Sequence, residues 1–109
     1  MGIIEKMRLD GKKGFVTGAA RGIGKCTATA FAEAGADVAI VDLDLAEAQK
    51  TAEYISRETG RKVIAIGTDC TDPKQVDQMV KKTVEELGGL DFCHNNAGIC
   101  INAPAEEMT

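Results

Sequence analysis

The sequence has little of what several classes of protein require. Its 109 residues include no tryptophan, one tyrosine and one histidine, and no apolar run is long enough to span a bilayer. Its 13 basic residues are outnumbered by 17 acidic ones and form no basic cluster, so nucleic acid and anionic membranes are poor partners. The N-terminal stretch carries Glu5, Lys6, Arg8 and Asp10, which argues against a secretory signal or a membrane anchor.

The cysteine pattern excludes a further group of functions. No C-x-x-C pair occurs among the four cysteines, which are Cys26, Cys70, Cys93 and Cys100. With a single histidine they make no recognisable zinc site. Scattered thiols of this kind are typical of proteins that are kept reduced in the cytoplasm. We therefore expect a cytoplasmic protein without a bound metal.

What is present is the balance of one globular domain, with 44% hydrophobic and 28% charged residues,. Short β-branched runs alternate with longer amphipathic stretches, and glycine or proline stands at the breaks. The pattern predicts strands near residues 14–17, 37–41, 63–66 and 90–94, and helices near 22–34, 45–58 and 73–87. Because each helix returns the chain to the same edge, we expect an α/β fold with parallel strands.

A glycine-rich stretch, residues 17–24 (TGAARGIG), joins the first strand to the first helix. Glycine allows backbone angles that are closed to other residues and lets a ligand approach the backbone closely. The helix that follows directs free N–H groups and the positive end of its dipole over this loop, which favours an anion. A plain glycine-rich turn would carry the same residues, but the position between a strand and a helix favours a pyrophosphate-binding loop.

Asp42 follows the second predicted strand, 18 positions beyond Gly24. In a dinucleotide-binding fold a carboxylate at this point accepts hydrogen bonds from the adenosine ribose and repels a 2′-phosphate, so Asp42 favours NAD over NADP. Arg21 argues the other way, because a guanidinium in the glycine loop can bind that phosphate. Asp42 can also be a simple turn carboxylate, and we expect Asp44 to be the N-cap of the next helix rather than a ligand.

Three stretches together resemble the short-chain dehydrogenase/reductase family: residues 9–12 (LDGK), residues 17–24 with that family's glycine spacing, and residues 95–98 (NNAG) after the fourth strand. Asp42 and Asp69 stand in register with them. The resemblance covers residues 9–109 and implies a Rossmann-type doubly wound parallel sheet, truncated to about four strands in the order 3-2-1-4. It also implies an NAD(P)-dependent oxidoreductase that transfers a hydride between nicotinamide and a small-molecule alcohol or ketone.

The same resemblance implies cofactor-binding roles for particular residues. Asp69 would hydrogen-bond the adenine amino group, with Cys70 behind the ring, although Asp69 can also cap the turn before Pro73. The remaining set is Gly18, Arg21, Gly22, Ile23 and Gly24 at the pyrophosphate, with Thr17 fixing the loop, Asp42 and Leu43 at the adenine ribose, and Asn96, Ala97 and Gly98 approaching the second ribose and bracing the sheet.

Two features depart from the family's pattern. The family's catalysis uses a tyrosine with a lysine four positions later, whereas Tyr54 is the only tyrosine, lies in the second predicted helix and is followed four positions later by Glu58. No catalytic residue can be assigned, and we expect Tyr54 to be half-buried on the sheet-facing side of its helix. Cys93 and His94 stand where aliphatic residues are usual in the family. We expect His94 to pack at the strand end rather than to act in catalysis.

We therefore expect residues 1–109 to be the NAD-binding part of a longer enzyme, with the catalytic half absent and no activity of its own. The resemblance implies a dimer or tetramer for the full-length protein. A non-catalytic NAD(H)-binding module is the alternative, and tight binding of NADH by this chain alone would favour it. A methyltransferase is a third interpretation, but it leaves residues 95–98 without a role.

Overall fold

Strands and helices alternate along residues 9–95, the part of the chain that the computed structural model describes. The four strands pair in parallel, in the spatial order third, second, first, fourth, which confirms the predicted sheet. The elements are β1 (Lys13–Thr17), α1 (Gly22–Glu33), β2 (Asp37–Asp42), α2 (Leu45–Thr59), β3 (Val63–Gly67), α3 (Pro73–Leu87) and β4 (Phe92–Asn95). These bounds differ from the predicted ones by at most two residues at any end.

The two central strands, β1 and β2, carry most of the core. Residues 38–41 of β2 are fully buried, because crossover helices cover both faces of a parallel sheet. One face packs against α1 and α2, and the other packs against α3. The buried residues include Val16, Val38, Ile40, Ala28, Ala32, Ala48, Ala52 and Ile55 on the first face, and Phe15, Ala39, Val41, Ile66, Met79 and Leu87 on the second.

Helices α2 and α3 begin and end on local signals, whereas α1 begins differently. The side chains of Asp44 and Asp72 each accept a hydrogen bond from a backbone N–H of the first turn, as N-caps do, which confirms the prediction for Asp44. Gly60 and Gly88 end α2 and α3 with left-handed φ angles of 73° and 87°. At the start of α1, Arg21 stands in the N-cap position and provides no side-chain cap. None of the helices in residues 9–95 combines the length and the apolar character that crossing a membrane requires.

Asp37 forms ion pairs with two basic side chains at the edge of the sheet where the strands begin. Its carboxylate lies 3.2 Å from the Lys13 Nζ and 3.2 Å from an Arg61 guanidinium nitrogen, and it accepts a hydrogen bond from the Lys62 N–H. Burial alone raises the pKa of this carboxyl. The hydrogen bonds from Lys13 and Lys62 and the positive charges of Arg61 and Lys13 outweigh burial, so the pKa of Asp37 lies below its usual range. The cluster joins β1 and β2 to the turn before β3.

We predict that Asp37 makes the free energy of unfolding depend on pH. A carboxyl whose pKa is lowered in the folded state contributes stability above its ordinary pKa of about 3.9, and that contribution is lost as the pH falls through the lowered value. Urea unfolding between about pH 6 and pH 3 should show this loss in the wild type, and Asp37→Asn should reduce it. Asp77→Asn, which alters an exposed carboxylate on α3, should keep the wild-type slope. A slope that survives Asp37→Asn would assign it to other carboxyls.

Candidate functional site

The carboxyl ends of the four strands meet at one edge of the sheet. Residues 18–21 follow β1 there, residues 42–44 end or follow β2, residues 68–70 follow β3, and Asn95 ends β4. Ligands of open parallel sheets bind in the crevice at this edge, at the point where the strand order reverses. Here the reversal lies between β1 and β4. The connections from β1 to β2 and from β2 to β3 move toward one side of the sheet, and the connection from β3 to β4 returns to the other side.

Three glycines give the loop after β1 its shape. Gly18 and Gly22 have left-handed φ angles of 62° and 64°, which residues with a Cβ rarely adopt. Gly24 is needed for a different reason, because a Cβ there would overlap the Gly18 carbonyl oxygen and lie 2.9 Å from the Ala19 Cα. The glycine spacing therefore serves both a sharp turn and the close packing of α1 against the loop.

The start of α1 has the chemistry of an anion site. Arg21 caps it with backbone only, and the first turn contains no acidic residue, whereas the first turn of α2 carries Glu47 behind the Asp44 cap. Free N–H groups and the positive end of the helix dipole favour an anion at such a position. Ile23, in the same turn, is 79% exposed. These residues fit the diphosphate of a dinucleotide.

Asp42 links the glycine loop to the turn after β2. Its Oδ2 accepts a hydrogen bond from the Ala20 N–H (3.1 Å), and its Oδ1 accepts one from the Asp44 N–H (3.0 Å). Asp42 is thus a turn carboxylate, as the sequence allowed, and it also joins two segments of the site. Because a carboxylate accepts about four hydrogen bonds, about two positions remain for the hydroxyl groups of a ribose.

Arg21 forms an ion pair with Asp44 at the surface of the site. One guanidinium nitrogen lies 3.0 Å from the Asp44 Oδ2, and the two side chains are 68% and 48% exposed. An exposed pair contributes little to stability, about 0–1 kcal/mol. It does, however, direct the guanidinium toward the turn after β2, while the side chain stays largely exposed. Asp44 also caps α2 through its Oδ1, so one side chain serves both contacts.

Asp69 shapes the turn that leads into α3. Its Oδ1 accepts hydrogen bonds from the hydroxyl (2.6 Å) and the N–H (2.9 Å) of Thr71, and these bonds hold the pKa of the Asp69 carboxyl below its usual range. The turn role that the sequence allowed is therefore present, although the N-cap of α3 itself is Asp72. Nearby, Cys70 is partly buried, and Leu43, after β2, is 75% exposed.

Thr17 ties the end of β1 to the end of β4. Its fully buried hydroxyl donates a hydrogen bond to the Asn95 Oδ1 (2.9 Å), and the two residues face each other in the parallel register. The first asparagine of the NNAG stretch therefore braces the sheet beside the glycine loop. Asn96, Ala97 and Gly98 lie outside the described residues, and their role at the second ribose stays a prediction.

The two side chains that invite a catalytic interpretation both pack against neighbours. The His94 ring is 6.1 Å from the Phe31 ring in an edge-on arrangement. Tyr54 is 44% exposed, with the Lys25 Nζ 4.9 Å from its ring centre. The ring lies on the flank of α2 beside α1, not on the expected sheet-facing side, because positions 48, 51, 52 and 55 occupy that side. Within residues 9–95, no group of three His, Cys, Asp or Glu side chains is placed to hold a metal ion.

One buried residue at the site was not predicted from the sequence. Thr51, which is 4% exposed on the buried face of α2, donates its hydroxyl hydrogen to the Ala20 carbonyl oxygen at 2.6 Å. Its only sequence signal is a polar residue on the face that carries Ala48, Ala52 and Ile55. Helical spacing does not identify a partner 31 positions away.

The chain is similar to short-chain dehydrogenases in sequence and in structure. The family model described as short chain dehydrogenase matches residues 12–109. The galactitol 2-dehydrogenase of Agrobacterium fabrum is 46% identical over 103 residues, which make up 94% of this chain and 39% of that enzyme. The sorbitol dehydrogenase of Cereibacter sphaeroides is 42% identical over 103 residues, with the same coverage of 94% and 39%.

A solved structure extends the similarity to the fold. The short chain dehydrogenase from Burkholderia cenocepacia in complex with NADP is 46% identical and has a TM-score of 0.78, over 84% of this chain and 38% of that one. The chain therefore spans about two fifths of the length of the relatives that it matches.

Proposed function

The chain belongs to the short-chain dehydrogenase family, and we propose that residues 1–109 are the cofactor-binding part of a longer NAD-dependent oxidoreductase. The observation that carries this proposal is the glycine loop joined to Asp42. The start of α1, which has no side-chain cap, suits a diphosphate, and a carboxylate hydrogen-bonded to the same loop suits a ribose. When bound, a nicotinamide cofactor accepts or donates the hydride, and the residues of this chain hold and orient it.

The proposed binding residues divide the dinucleotide between them. Asp42 and the exposed Leu43 contact the adenosine ribose. Asp69 accepts a hydrogen bond from the adenine amino group through its Oδ2. The Thr71 hydrogen bonds go to Oδ1, and no described residue donates a hydrogen bond to Oδ2. Cys70 lies behind the adenine ring. The diphosphate contacts Gly18, Arg21, Gly22, Ile23 and Gly24, while the buried Thr17 fixes the loop. The second ribose contacts Asn96, Ala97 and Gly98.

NAD is the proposed cofactor in preference to NADP. The charge of Asp42 repels a 2′-phosphate, while its remaining acceptor positions suit the ribose hydroxyls. Arg21 would attract that phosphate, but Asp44 already holds its guanidinium at 3.0 Å. The NADP bound to a relative at 46% identity makes this preference worth testing directly.

Releasing Arg21 from Asp44 should favour NADP. Asp44→Ser keeps an N-cap hydroxyl for α2 and removes the carboxylate that holds the guanidinium. In the full-length enzyme we expect kcat/KM for NADP to rise about three- to fivefold, equivalent to about 0.6–1 kcal/mol, with little change for NAD. Adding Arg21→Ala should cancel the gain. A gain that persists without Arg21 would contradict this assignment.

A polyol or a related alcohol or ketone is the proposed substrate. Two relatives, at 46% and 42% identity, are named for galactitol and sorbitol. Oxidising an alcohol removes a hydride from carbon and a proton from the hydroxyl, so the reaction needs a general base. In residues 1–109 the single tyrosine is followed four positions later by Glu58 rather than lysine. We therefore assign the general base to residues beyond 109 and propose that residues 1–109 alone turn over no substrate.

The cellular setting is also part of the proposal. The scattered cysteines support a cytoplasmic location. The family resemblance supports a dimer or tetramer as the state of the full-length enzyme.

Two preparations test the proposed function: the 109-residue chain and the full-length protein. We expect the full-length protein to bind NADH in a fluorescence titration and to oxidise galactitol or sorbitol with NAD. The 109-residue chain should show no turnover. Turnover by the short chain would overturn the division between cofactor and catalytic parts. Tight NADH binding by a full-length protein with no dehydrogenase activity would favour the NAD(H)-binding module.

A further inference from the structure

Thr51 makes a contact that the other helical threonines do not make. The helices within residues 9–95 carry five threonines. In four of them the hydroxyl bonds the carbonyl four positions earlier in the same helix, a common arrangement: Thr27, Thr29, Thr59 and Thr83. Thr51 instead bonds the Ala20 carbonyl oxygen, 31 positions earlier in the chain, at 2.6 Å. Both residues are buried.

The backbone N–H and C=O of Ala20 form hydrogen bonds to two different segments, the end of β2 and helix α2. Its N–H donates to the Asp42 Oδ2 at 3.1 Å, and its carbonyl oxygen accepts from Thr51 at 2.6 Å. These two bonds fix the peptide planes before and after Ala20. Because the C=O and N–H of a planar trans peptide point in opposite directions, turning the Ala20 carbonyl toward α2 turns the Arg21 N–H away from α2.

We infer that Thr51 is a positioning residue for the proposed diphosphate-binding loop. Buried behind the loop, it acts through the peptide between Ala20 and Arg21, immediately before Gly22 and the start of α1. This inference rests on the proposed function, because it concerns how the same loop binds its ligand. Without the hydroxyl, the buried Ala20 carbonyl loses its donor. The loop then populates other conformations, and the apparent affinity for the cofactor falls with the fraction of competent loop.

Thr51→Val tests this inference, because valine keeps the branched shape of threonine and replaces the hydroxyl with a methyl group, which cannot donate a hydrogen bond. In the full-length protein we expect the Kd for NADH, measured by fluorescence titration, to rise about tenfold, the effect of losing one buried hydrogen bond. The KM for the cofactor should rise while kcat changes little. Thr51→Ser, which keeps a hydroxyl, should retain an affinity within about twofold of the wild type.

Thr83→Val is the matched control. Its hydroxyl is also buried in a helix but bonds the Met79 carbonyl of the same helix, α3, which packs on the opposite face of the sheet from α2. This variant should change stability without changing the Kd for NADH. Equal weakening of NADH binding by Thr83→Val would show that loss of stability causes the effect, and it would overturn the inference.

The remaining outcomes separate this inference from the proposed function. Wild-type NADH binding together with an unchanged Kd in folded Thr51→Val overturns the positioning role and leaves the proposed function standing. A wild-type protein that binds no NADH overturns both the positioning role of Thr51 and the proposed function. Where Thr51→Val does not fold, Thr51→Ala removes the hydroxyl without adding bulk. In the Thr51→Ala variant the backbone amides of Ala20 and Arg21 should exchange their hydrogens with solvent faster than in the wild type. Unchanged hydrogen exchange together with an unchanged Kd for NADH would contradict the inference.

Discussion

Gly24→Ala is expected to cause the largest loss of any substitution at the site. A Cβ at position 24 would overlap the Gly18 carbonyl oxygen and lie 2.8 Å from the Gly18 carbonyl carbon and 2.9 Å from the Ala19 Cα. All three are backbone atoms, so no side chain can rotate away, and either α1 or the loop must shift. Overpacking of this kind costs about 1–3 kcal/mol and sometimes more. We expect the free energy of unfolding to fall by about 3 kcal/mol and NADH binding to be lost.

Gly60→Ala separates crowding from backbone strain. Gly60 ends α2 with a φ of +73°, and a Cβ there would meet nothing within 4 Å. This variant should cost about 1 kcal/mol and leave the NADH affinity unchanged. Urea unfolding and NADH titration of both full-length variants make the comparison. Wild-type NADH affinity in Gly24→Ala would show that the shifted loop still binds and would remove Gly24 from the proposed site.

Asp42→Ala is expected to change both the strength and the selectivity of cofactor binding. Its carboxylate is the proposed acceptor for the ribose hydroxyls, so kcat/KM for NAD should fall about 100-fold, equivalent to about 2.7 kcal/mol for hydrogen bonds to a charged group. The loss for NADP should be smaller, because the repulsion of its 2′-phosphate also disappears. NADP still loses activity, because the Ala20 and Asp44 N–H groups no longer have their acceptor.

Asp42→Asn separates charge from loop support. Asparagine keeps one acceptor oxygen and the shape of the side chain, but removes the charge. It should move the preference toward NADP in the same direction, with a smaller loss for NAD. Steady-state kinetics with both cofactors measure the ratio of the two kcat/KM values. A ratio that stays at the wild-type value in both variants would remove Asp42 from its assigned role.

Local sequence patterns were enough to predict the elements of this fold and the N-cap at Asp44. The N-cap at Asp44 and the left-handed glycines at Gly60 and Gly88 depend only on residues within about one helical turn. The parallel order followed from the regular alternation of strands and helices together with the family resemblance. The convergence of the glycine loop, Asp42 and Asp69 at one edge follows from that order alone, since parallel strands all end at the same edge.

Side-chain contacts between distant segments could not be predicted in the same way. The sequence indicated that Arg21 can bind a cofactor phosphate, whereas the structure pairs it with Asp44, 23 positions away. The hydrogen bond from Thr51 to Ala20 depends on how closely α2 approaches the loop, which no local pattern encodes. Asp37 was predicted only as the first residue of a strand, and its three partners come from β1 and from the turn before β3.

The two ends of β2 have separate physical roles. Asp37 begins the strand and Asp42 ends it, so at about 3.3 Å per residue their Cα atoms lie about 17 Å apart. Substitutions farther apart than about 7–10 Å usually have additive effects. The length of β2 therefore separates the charge cluster around Asp37, which stabilises the sheet, from the residues near Asp42 that are proposed to determine cofactor preference. Cofactor preference can evolve or be engineered around Asp42 while the stability held at Asp37 stays unchanged.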